Sequence, residues 1–222
     1  MTAYTIGLDL GQGADYSALV VVERVLELPT GVTVNDAARR PQEVDRRRMR
    51  EVLDVVALRR WALGTSYTTV AAEVIEIASR PEFVSDAIVY FDRGGVGWAV
   101  ADLLLNARHR GDRAAWAQGV IATAGQKANG LNVPKSDLVA ALQVPLETGR
   151  LRIARGLPLG EVLERELLGF EQKITDSGRE VIEYARRGDG HGDLVSALML
   201  AAWGDSLGPR RLIERKEHHD ER

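Results

Sequence analysis

Two apolar runs of the sequence end at or near an aspartate, and in each case a glycine follows two residues after that aspartate. The first run, in "YTIGLDLGQG", ends near Asp9, and the second, in "AIVYFDRGG", ends at Asp92. Aspartate is depleted from β-strands, and a buried carboxylate has to be paired or bound to a metal. Each aspartate therefore needs a cationic partner.

A third carboxylate completes a candidate site. Asp193 precedes the apolar segment "LVSALMLAAW", which predicts a helix with Asp193 in its first turn, where the helix dipole favours an anion. Functional crevices of α/β sheets lie beyond the carboxyl ends of strands, so Asp9 and Asp92 face each other there if their strands are neighbours.

The available residue types restrict the kind of metal site. The chain has no cysteine and four scattered histidines, so oxygen ligands would have to hold a metal. Carboxylate oxygens suit Mg²⁺ or Mn²⁺, and two such ions held ~4 Å apart support phosphodiester hydrolysis. The three aspartates therefore predict a site for one or two divalent ions.

The hydrophobic pattern predicts the elements that position these residues. Apolar runs predict strands, and apolar residues at helical spacing after Ser, Thr or Pro predict helices. In chain order we expect two strands in "YTIGLDLGQGADYSALVVVE", a strand in "REVLDVVALRRWAL", a helix in "TSYTTVAAEVIEIAS", a strand in "DAIVYFD", a helix in "WAVADLLLNA", a strand in "AAWAQGVIATAG", helices in "VPKSDLVAALQVPLETG" and "LGEVLERELLGF", a hairpin in "EQKITDSGREVIEYA" and the closing helix of "GHGDLVSALMLAAW". This order predicts an α/β fold: a mixed β-sheet flanked by helices on both faces, with an added β-hairpin.

Composition is that of a globular protein. The chain has 222 residues, of which 45% are hydrophobic and 27% charged. We predict one domain over 1–208, with a polar, Arg-rich insertion at about 29–48, and a charged, disordered tail at 209–222. No apolar run approaches the ~20 residues of a membrane span, and the start "MTAYTIGLDL" lacks the pattern of a signal peptide, so neither membrane insertion nor export is expected. The formal charge of −3 neither supports nor excludes a nucleic-acid partner.

Four segments, in this order and spread over nearly the whole chain, resemble the nuclease domain of the large terminase subunits of tailed bacteriophages. They are "IGLDLGQGADYSALVVVE", "VYFDRGGVGWAVADLLL", "VPKSDLVAAL" and "GHGDLVSALMLAAW". The resemblance implies an RNase H-like fold and a metal-dependent endonuclease that cuts double-stranded viral DNA concatemers during genome packaging. It also implies partners, namely double-stranded DNA, a terminase ATPase domain, the portal and the small terminase subunit, and it implies the cytoplasm of the bacterial host as the location.

The same resemblance implies roles for individual residues. Asp9, Asp92 and Asp193 match catalytic metal ligands of the family, and Asp15 matches a further aspartate shortly after the first. The family's last motif is often His-Asp-Asp-Leu, whereas this chain has Gly192 in place of the first aspartate. The ligand set is therefore one carboxylate poorer, which leaves occupancy of a second metal position open.

Several polar residues have both a functional and a structural interpretation. Asp15 either ligates a second ion or forms an Asx-turn in the first hairpin. Four positively charged residues either contact DNA or lie on solvated surface: Arg46, Arg47 and Arg48 in "DRRRMR", and Lys173 in the predicted hairpin, which would flank the DNA. Lys135 matches a lysine in the resemblance, and it either stabilises a phosphate or a carboxylate near the site or is a solvated lysine at the start of a helix. His191 is an auxiliary candidate beside the last motif.

Four further residues are predicted to be structural. Glu166 lies on a helix with an apolar stripe and is expected to form an ion pair, while Trp98, Trp116 and Trp203 are expected in the core. No G-x-x-x-x-G-K-[ST] motif occurs, so the chain is predicted to lack an ATPase motor.

Other functional classes share parts of this pattern. A Holliday-junction resolvase-like nuclease would use the same acids but needs a dimer. An actin-like or sugar-kinase-like ATP-binding domain has a similar first phosphate loop, but it also needs a second phosphate loop and an adenosine motif, for which 222 residues leave no room. A DNA-binding or assembly module without catalysis would follow if Gly192 has cost the site an essential ligand; metal-dependent cleavage separates this alternative from a nuclease.

Overall fold

A computed structural model gives the fold of the chain. It describes residues 4–13, 15–40, 44, 48–83, 87–107, 116–124, 129, 131–174, 180–184, 192–204 and 211–213. Within these residues, no helix is long and apolar enough to cross a membrane.

A mixed sheet forms the centre of the fold. The described strands are β1 (Tyr4–Asp9), β2 (Ala18–Glu27), β3 (Arg50–Arg60), β4 (Ile88–Asp92), β5 (Trp116–Thr123), β6 (Asn132–Pro134), β7 (Leu151–Ile153), β8 (Phe170–Ile174), β9 (Glu180–Tyr184) and β10 (Arg211–Ile213). The strands of the sheet lie in the order β6-β5-β4-β1-β2-β3-β7, with β10 beside one end of β2. Strand β1 pairs antiparallel with β2 and parallel with β4, so the first and fourth described strands are neighbours.

Helices cover both faces of this sheet, and β8 and β9 form a separate antiparallel hairpin. The described helices are α1 (Val34–Arg39), α2 (Tyr67–Ala78), α3 (Gly97–Leu105), α4 (Lys135–Glu147), α5 (Gly160–Leu168) and α6 (Asp193–Trp203). The predicted α/β fold, with its mixed sheet, helices on both faces and added hairpin, is confirmed.

Each face of the sheet has its own hydrophobic core. Helices α2 and α3 pack on one face through residues such as Val70 and Val100. Helices α4, α5 and α6 contribute to the core on the other face, where α6 is buried along almost its whole length. A helix that is apolar on all sides suits this central position, because both the sheet and neighbouring helices cover it.

A glycine allows α6 to approach the sheet closely. A Cβ atom added to Gly7, in the middle of β1, would lie 1.8 Å from the carbonyl oxygen of Ala197 in α6. The backbones of β1 and α6 are therefore in direct contact, which sets the position of the start of α6 relative to the end of β1.

Two segments differ from the sequence predictions. The insertion at about 29–48 contains a helix, α1, which starts with a capping box between Thr33 and Asp36 and buries Ala37 against Leu28. This helix was missed because its six residues are too few to show a clear period.

The second difference lies in the tail predicted to be disordered. Three of its residues form β10, which pairs with Val25 to Glu27 of β2. Strand β1 begins at Tyr4, opposite Glu23, so the last residues of β2 have an edge that β1 does not cover. Strand β10 pairs with that edge. The pairing joins residues far apart in the chain, and the charged sequence of the tail does not predict it.

Candidate functional site

The ends of four neighbouring strands form a row that contains two of the predicted aspartates. Asp9 pairs with Ala18 of β2, and Ala18 pairs with Arg60 of β3. On the other side Leu8 pairs with Phe91, so Asp9 and Asp92 are the next residues along two parallel strands. Neighbouring strands lie about 4.8 Å apart, so these two carboxylates start from adjacent backbone positions.

The row faces α6. Side chains alternate along a strand, and Gly7, two residues before Asp9, is directed at α6. Tyr90, two residues before Asp92, belongs to the core that α6 shares. Asp193, the first residue of α6, is buried with 4% of its surface exposed. Two strands and one helix thus bring Asp9, Asp92 and Asp193 to one end of the same face.

The electrostatic environment of Asp9 reflects this arrangement. Burial, together with the negative charges of Asp193, Asp92, Asp15 and Glu166, raises the pKa of Asp9 to about 8. Without a bound cation, the ionised form of Asp9 is therefore disfavoured. A divalent ion would offset both the burial and the mutual repulsion of these carboxylates.

Local hydrogen bonds orient the loops that carry the aspartates. The Gly94 N–H donates to Oδ1 of Asp92 at 2.8 Å, which ties that carboxylate to the turn after β4. In the turn after β1, the Gly11 N–H donates to Oγ of Ser17 at 3.2 Å, and the Tyr67 hydroxyl donates to the Gly11 carbonyl oxygen at 3.0 Å. A side chain at Gly11 would collide with the backbone of Asp15, 2.3 Å away, so glycine is required in this turn.

One cationic residue beside the predicted aspartates, Arg60, was not predicted from the sequence. Arg60 forms an ion pair with Oε1 of Glu166, and its Nη2 lies 3.5 Å from Oδ2 of Asp193. The predicted ion-pair role of Glu166 is confirmed, and its partner is this arginine. No local signal distinguishes Arg60, because it is one of two consecutive arginines at the end of a strand.

The other predicted residues are distributed unevenly. Asp15 is exposed in the turn after β1, and Lys135 is exposed at the start of α4, beyond the carboxyl end of β6. Arg48 is exposed after the insertion. Arg46, Arg47 and His191 lie outside the described residues, as does the side chain of Lys173, whose backbone is part of β8.

Two tryptophans predicted to be in the core are not there. Trp98 is 57% exposed and Trp116 is 49% exposed, whereas Trp203 packs edge-on against Tyr90 at 5.7 Å between ring centroids. The guanidinium of Arg93 lies 4.1 Å from the ring centroid of Trp98. The prediction failed for Trp98 because it occupies the outer side of α3, and for Trp116 because it begins β5 at the end of the sheet away from Asp92.

The ligand types fit a hard divalent cation, since carboxylate oxygens are the ligands that Mg²⁺ and Mn²⁺ prefer. Among the described residues, no three histidine or carboxylate side chains are close enough together to hold a metal ion as they stand. The fit therefore rests on the chemistry of the donors and on the acidic environment that raises the pKa of Asp9.

Solved structures of large terminase nucleases have this fold. The large terminase nuclease of the thermophilic phage G20c with bound cobalt aligns with a TM-score of 0.56 and 24% identity over 90% of this chain and 80% of that one. The HK97 bacteriophage large terminase aligns with a TM-score of 0.55 and 17% identity over 92% of this chain and 40% of that one. The Mn-soaked human cytomegalovirus terminase nuclease domain aligns with a TM-score of 0.51 and 13% identity over 92% and 85% of the two chains.

The G20c nuclease is also known with bound magnesium. No protein-family model and no curated protein sequence matches the chain. At these identities the likeness establishes the fold, which is the RNase H-like fold expected from the four sequence segments.

Proposed function

We propose that this protein is a divalent-metal-dependent DNA endonuclease of the terminase type, which cuts double-stranded viral DNA concatemers during genome packaging. The observation that carries the proposal is the row of strand ends in which Asp9 and Asp92 are neighbours, beside the buried Asp193 at the start of α6. The fold shared with terminase nuclease domains supports the same reaction class.

In this proposal Asp9, Asp92 and Asp193 would hold one or two Mg²⁺ or Mn²⁺ ions, with Asp15 as a further ligand candidate. The chemistry that such ions supply when bound is activation of water and stabilisation of the leaving oxygen in phosphodiester hydrolysis. The Gly94 N–H keeps the Asp92 carboxylate oriented, and the backbone contact at Gly7 keeps the start of α6 beside Asp9. Gly192 has φ 77°, a left-handed conformation that favours glycine.

Contacts to DNA would be made mainly to phosphates, so sequence specificity should be low. Arg46, Arg47, Arg48 and Lys173 remain the predicted phosphate contacts, with Lys135 and His191 as auxiliary residues. Arg93 follows Asp92 directly and extends over the exposed Trp98, which adds a cationic and aromatic surface next to the site. The proposed setting is the cytoplasm of the bacterial host, with a terminase ATPase domain, the portal and the small terminase subunit as partners.

Cleavage of supercoiled plasmid in Mg²⁺ and in Mn²⁺ tests this function. We expect nicking and linearisation by the wild-type protein, abolished by a chelator. The variant Asp92→Asn should cut at least about 100-fold more slowly, because it removes a charged ligand worth several kcal/mol in the transition state. The control is Asp102→Asn, which neutralises an exposed aspartate on α3 and should cut at the wild-type rate.

Two results would contradict the proposal. A folded wild-type protein that leaves plasmid intact in both metals would remove the catalytic claim for this chain alone. Cleavage that survives in Asp92→Asn at the wild-type rate would show that the nuclease site lies elsewhere.

A further inference from the structure

The position of Arg60 depends on a bulge in β3. Val21 of β2 pairs with Ala57, but the next residue, Val22, pairs with Val55, so Val56 is an extra residue in β3. Strict alternation from Val55 would direct Arg59 towards α6. The bulge reverses the alternation, so Arg60 takes that side and joins the row that contains Asp9.

The guanidinium of Arg60 lies among two carboxylates and an aromatic ring. Its Nη2 faces both Oε1 of Glu166 and Oδ2 of Asp193, the latter at 3.5 Å. Its carbon Cζ lies 4.7 Å from the ring centroid of Tyr16, in the turn after β1. The side chain is 13% exposed, so these neighbours hold it in place with little competition from water.

The second oxygen of Glu166 fixes the backbone of α6. Oε2 accepts hydrogen bonds from the N–H groups of Leu194 at 2.9 Å and Val195 at 3.2 Å. The N-cap residue of α6 is Gly192, which has no side chain for this purpose. Glu166, from α5, therefore replaces the usual capping side chain and places its negative charge at the positive end of the helix dipole.

Asp193 is thus held twice by one pair of residues. Glu166 fixes its backbone through the two following N–H groups, and Arg60 lies beside its carboxylate. Stability alone is a poor reason for this arrangement, because buried ion pairs often contribute no more than apolar residues of similar volume. In contrast, residues that contact a metal ligand without contacting the metal orient that ligand, and mutating them commonly lowers metal affinity by 10- to 100-fold.

Resting on the nuclease function proposed above, we propose that Arg60 and Glu166 are positioning residues of the metal site, which hold Asp193 ready for the ion against repulsion from the other aspartates. In the absence of metal, Arg60 keeps the Asp193 carboxylate beside the row of strand ends. Glu166 also pairs with Arg60, so Arg60 binds Asp193 less tightly and competes less with the metal ion for the Asp193 carboxylate. Neither residue contacts the reacting atoms in this role.

Binding of Mn²⁺ in the absence of DNA tests this inference, with free Mn²⁺ measured by electron paramagnetic resonance. Arg60→Lys keeps the charge but replaces the planar guanidinium, whose Nη2 faces both carboxylates, with an ammonium on a shorter side chain. We expect its Kd for Mn²⁺ to rise about ten-fold. Glu166→Gln should also raise the Kd, because Arg60 is then free to pair with Asp193 alone. The Kd of the double variant should stay within about two-fold of the higher of the two single-variant Kd values. The effects should not add, because both changes disrupt the same pair of residues.

The matched control is Arg59→Lys, one residue away, where the arginine pairs with Glu73 on the opposite face at 2.8 Å. Its Kd should equal that of the wild type. If Arg60→Lys and Glu166→Gln melt at lower temperature yet bind Mn²⁺ as tightly as the wild type, the two residues only stabilise the fold and the inference is overturned.

Failure of the inference can be told apart from failure of the proposed function. Wild-type protein that binds no Mn²⁺ would overturn the metal site itself and the inference with it, whereas equal binding by wild type and variants overturns the inference alone. If Arg60→Lys does not fold, Glu166→Gln decides the question, because it changes one charge and leaves Arg60 in place.

Discussion

Asp9 is a buried carboxylic acid with several other carboxylates around it. Burial first, and then the surrounding carboxylates, raise the pKa of Asp9 to about 8. The unfolded chain would titrate this group near 3.8. A raised pKa in the folded state means that the folded protein binds the proton more tightly, so the stability from Asp9 is lost as the pH rises from the unfolded to the folded pKa.

We therefore predict that Asp9→Asn stabilises the metal-free protein while it abolishes plasmid cleavage. In chelator, its melting temperature should exceed that of the wild type by a few degrees at pH 8, and the difference should shrink towards pH 4, where both side chains are neutral. Thermal denaturation at a series of pH values measures this. A difference that is constant with pH, or of opposite sign, would show that Asp9 is not held in an unfavourable ionised form.

At the scale of elements, the contact between β1 and α6 determines where Asp9 and Asp193 lie relative to each other. Asp9 ends β1 and Asp193 begins α6, and the two elements touch backbone to backbone at Gly7. Residues that do no chemistry therefore control the geometry of the site. Bulk added between these elements has to displace one of them, because packed interiors have little free volume.

Gly7→Ala should be strongly destabilising for this reason. Overpacking costs about 1–3 kcal/mol, and a contact of 1.8 Å with backbone lies at the upper end, which corresponds to a fall in melting temperature of about 6–12 °C. Gly160→Ala is the control, because its nearest neighbour would be an ordinary 3.6 Å contact with the Leu157 side chain. Thermal denaturation of both variants measures this. If Gly7→Ala lowers the melting temperature no more than Gly160→Ala does, or not at all, α6 can move away from β1 without cost.

At the scale of the whole molecule, binding of the proposed ion should increase the stability of the fold, because its ligands belong to both the sheet and α6. Asp9 and Asp92 belong to the sheet, and Asp193 belongs to a helix that packs across several strands. An ion bound only when these elements are assembled stabilises the folded state by mass action.

We predict that Mg²⁺ at about 100 times its Kd stabilises the protein by about 2.7 kcal/mol, or about 5–11 °C in melting temperature. The shift should disappear in the double variant Asp9→Asn/Asp92→Asn and be reversed by a chelator. Differential scanning calorimetry with and without Mg²⁺ provides the measurement. An equal shift in the double variant would mean that Mg²⁺ acts at some other place on the surface.

Local sequence was sufficient for much of the fold and for the candidate aspartates. Apolar runs predicted β1 and β4, and each ended close to an aspartate that a sheet interior does not tolerate. The spacing of "LVSALMLAAW" predicted α6 with Asp193 in its first turn. These features depend on residues that are neighbours in the chain, which is why a single sequence contains them.

Long-range pairing decided the remainder. The neighbourhood of β1 and β4, the pairing of β10 with the open edge of β2, and the exposure of Trp98 and Trp116 have no local signal. Arg60 is the clearest case, since one extra residue in β3 reverses its side and brings it to Asp193 and Glu166. The sequence by itself was enough to predict Asp9, Asp92 and Asp193 as candidate cation ligands. Only the tertiary structure decided which arginine and which helix cap lie beside them, because register and packing join residues far apart in the chain.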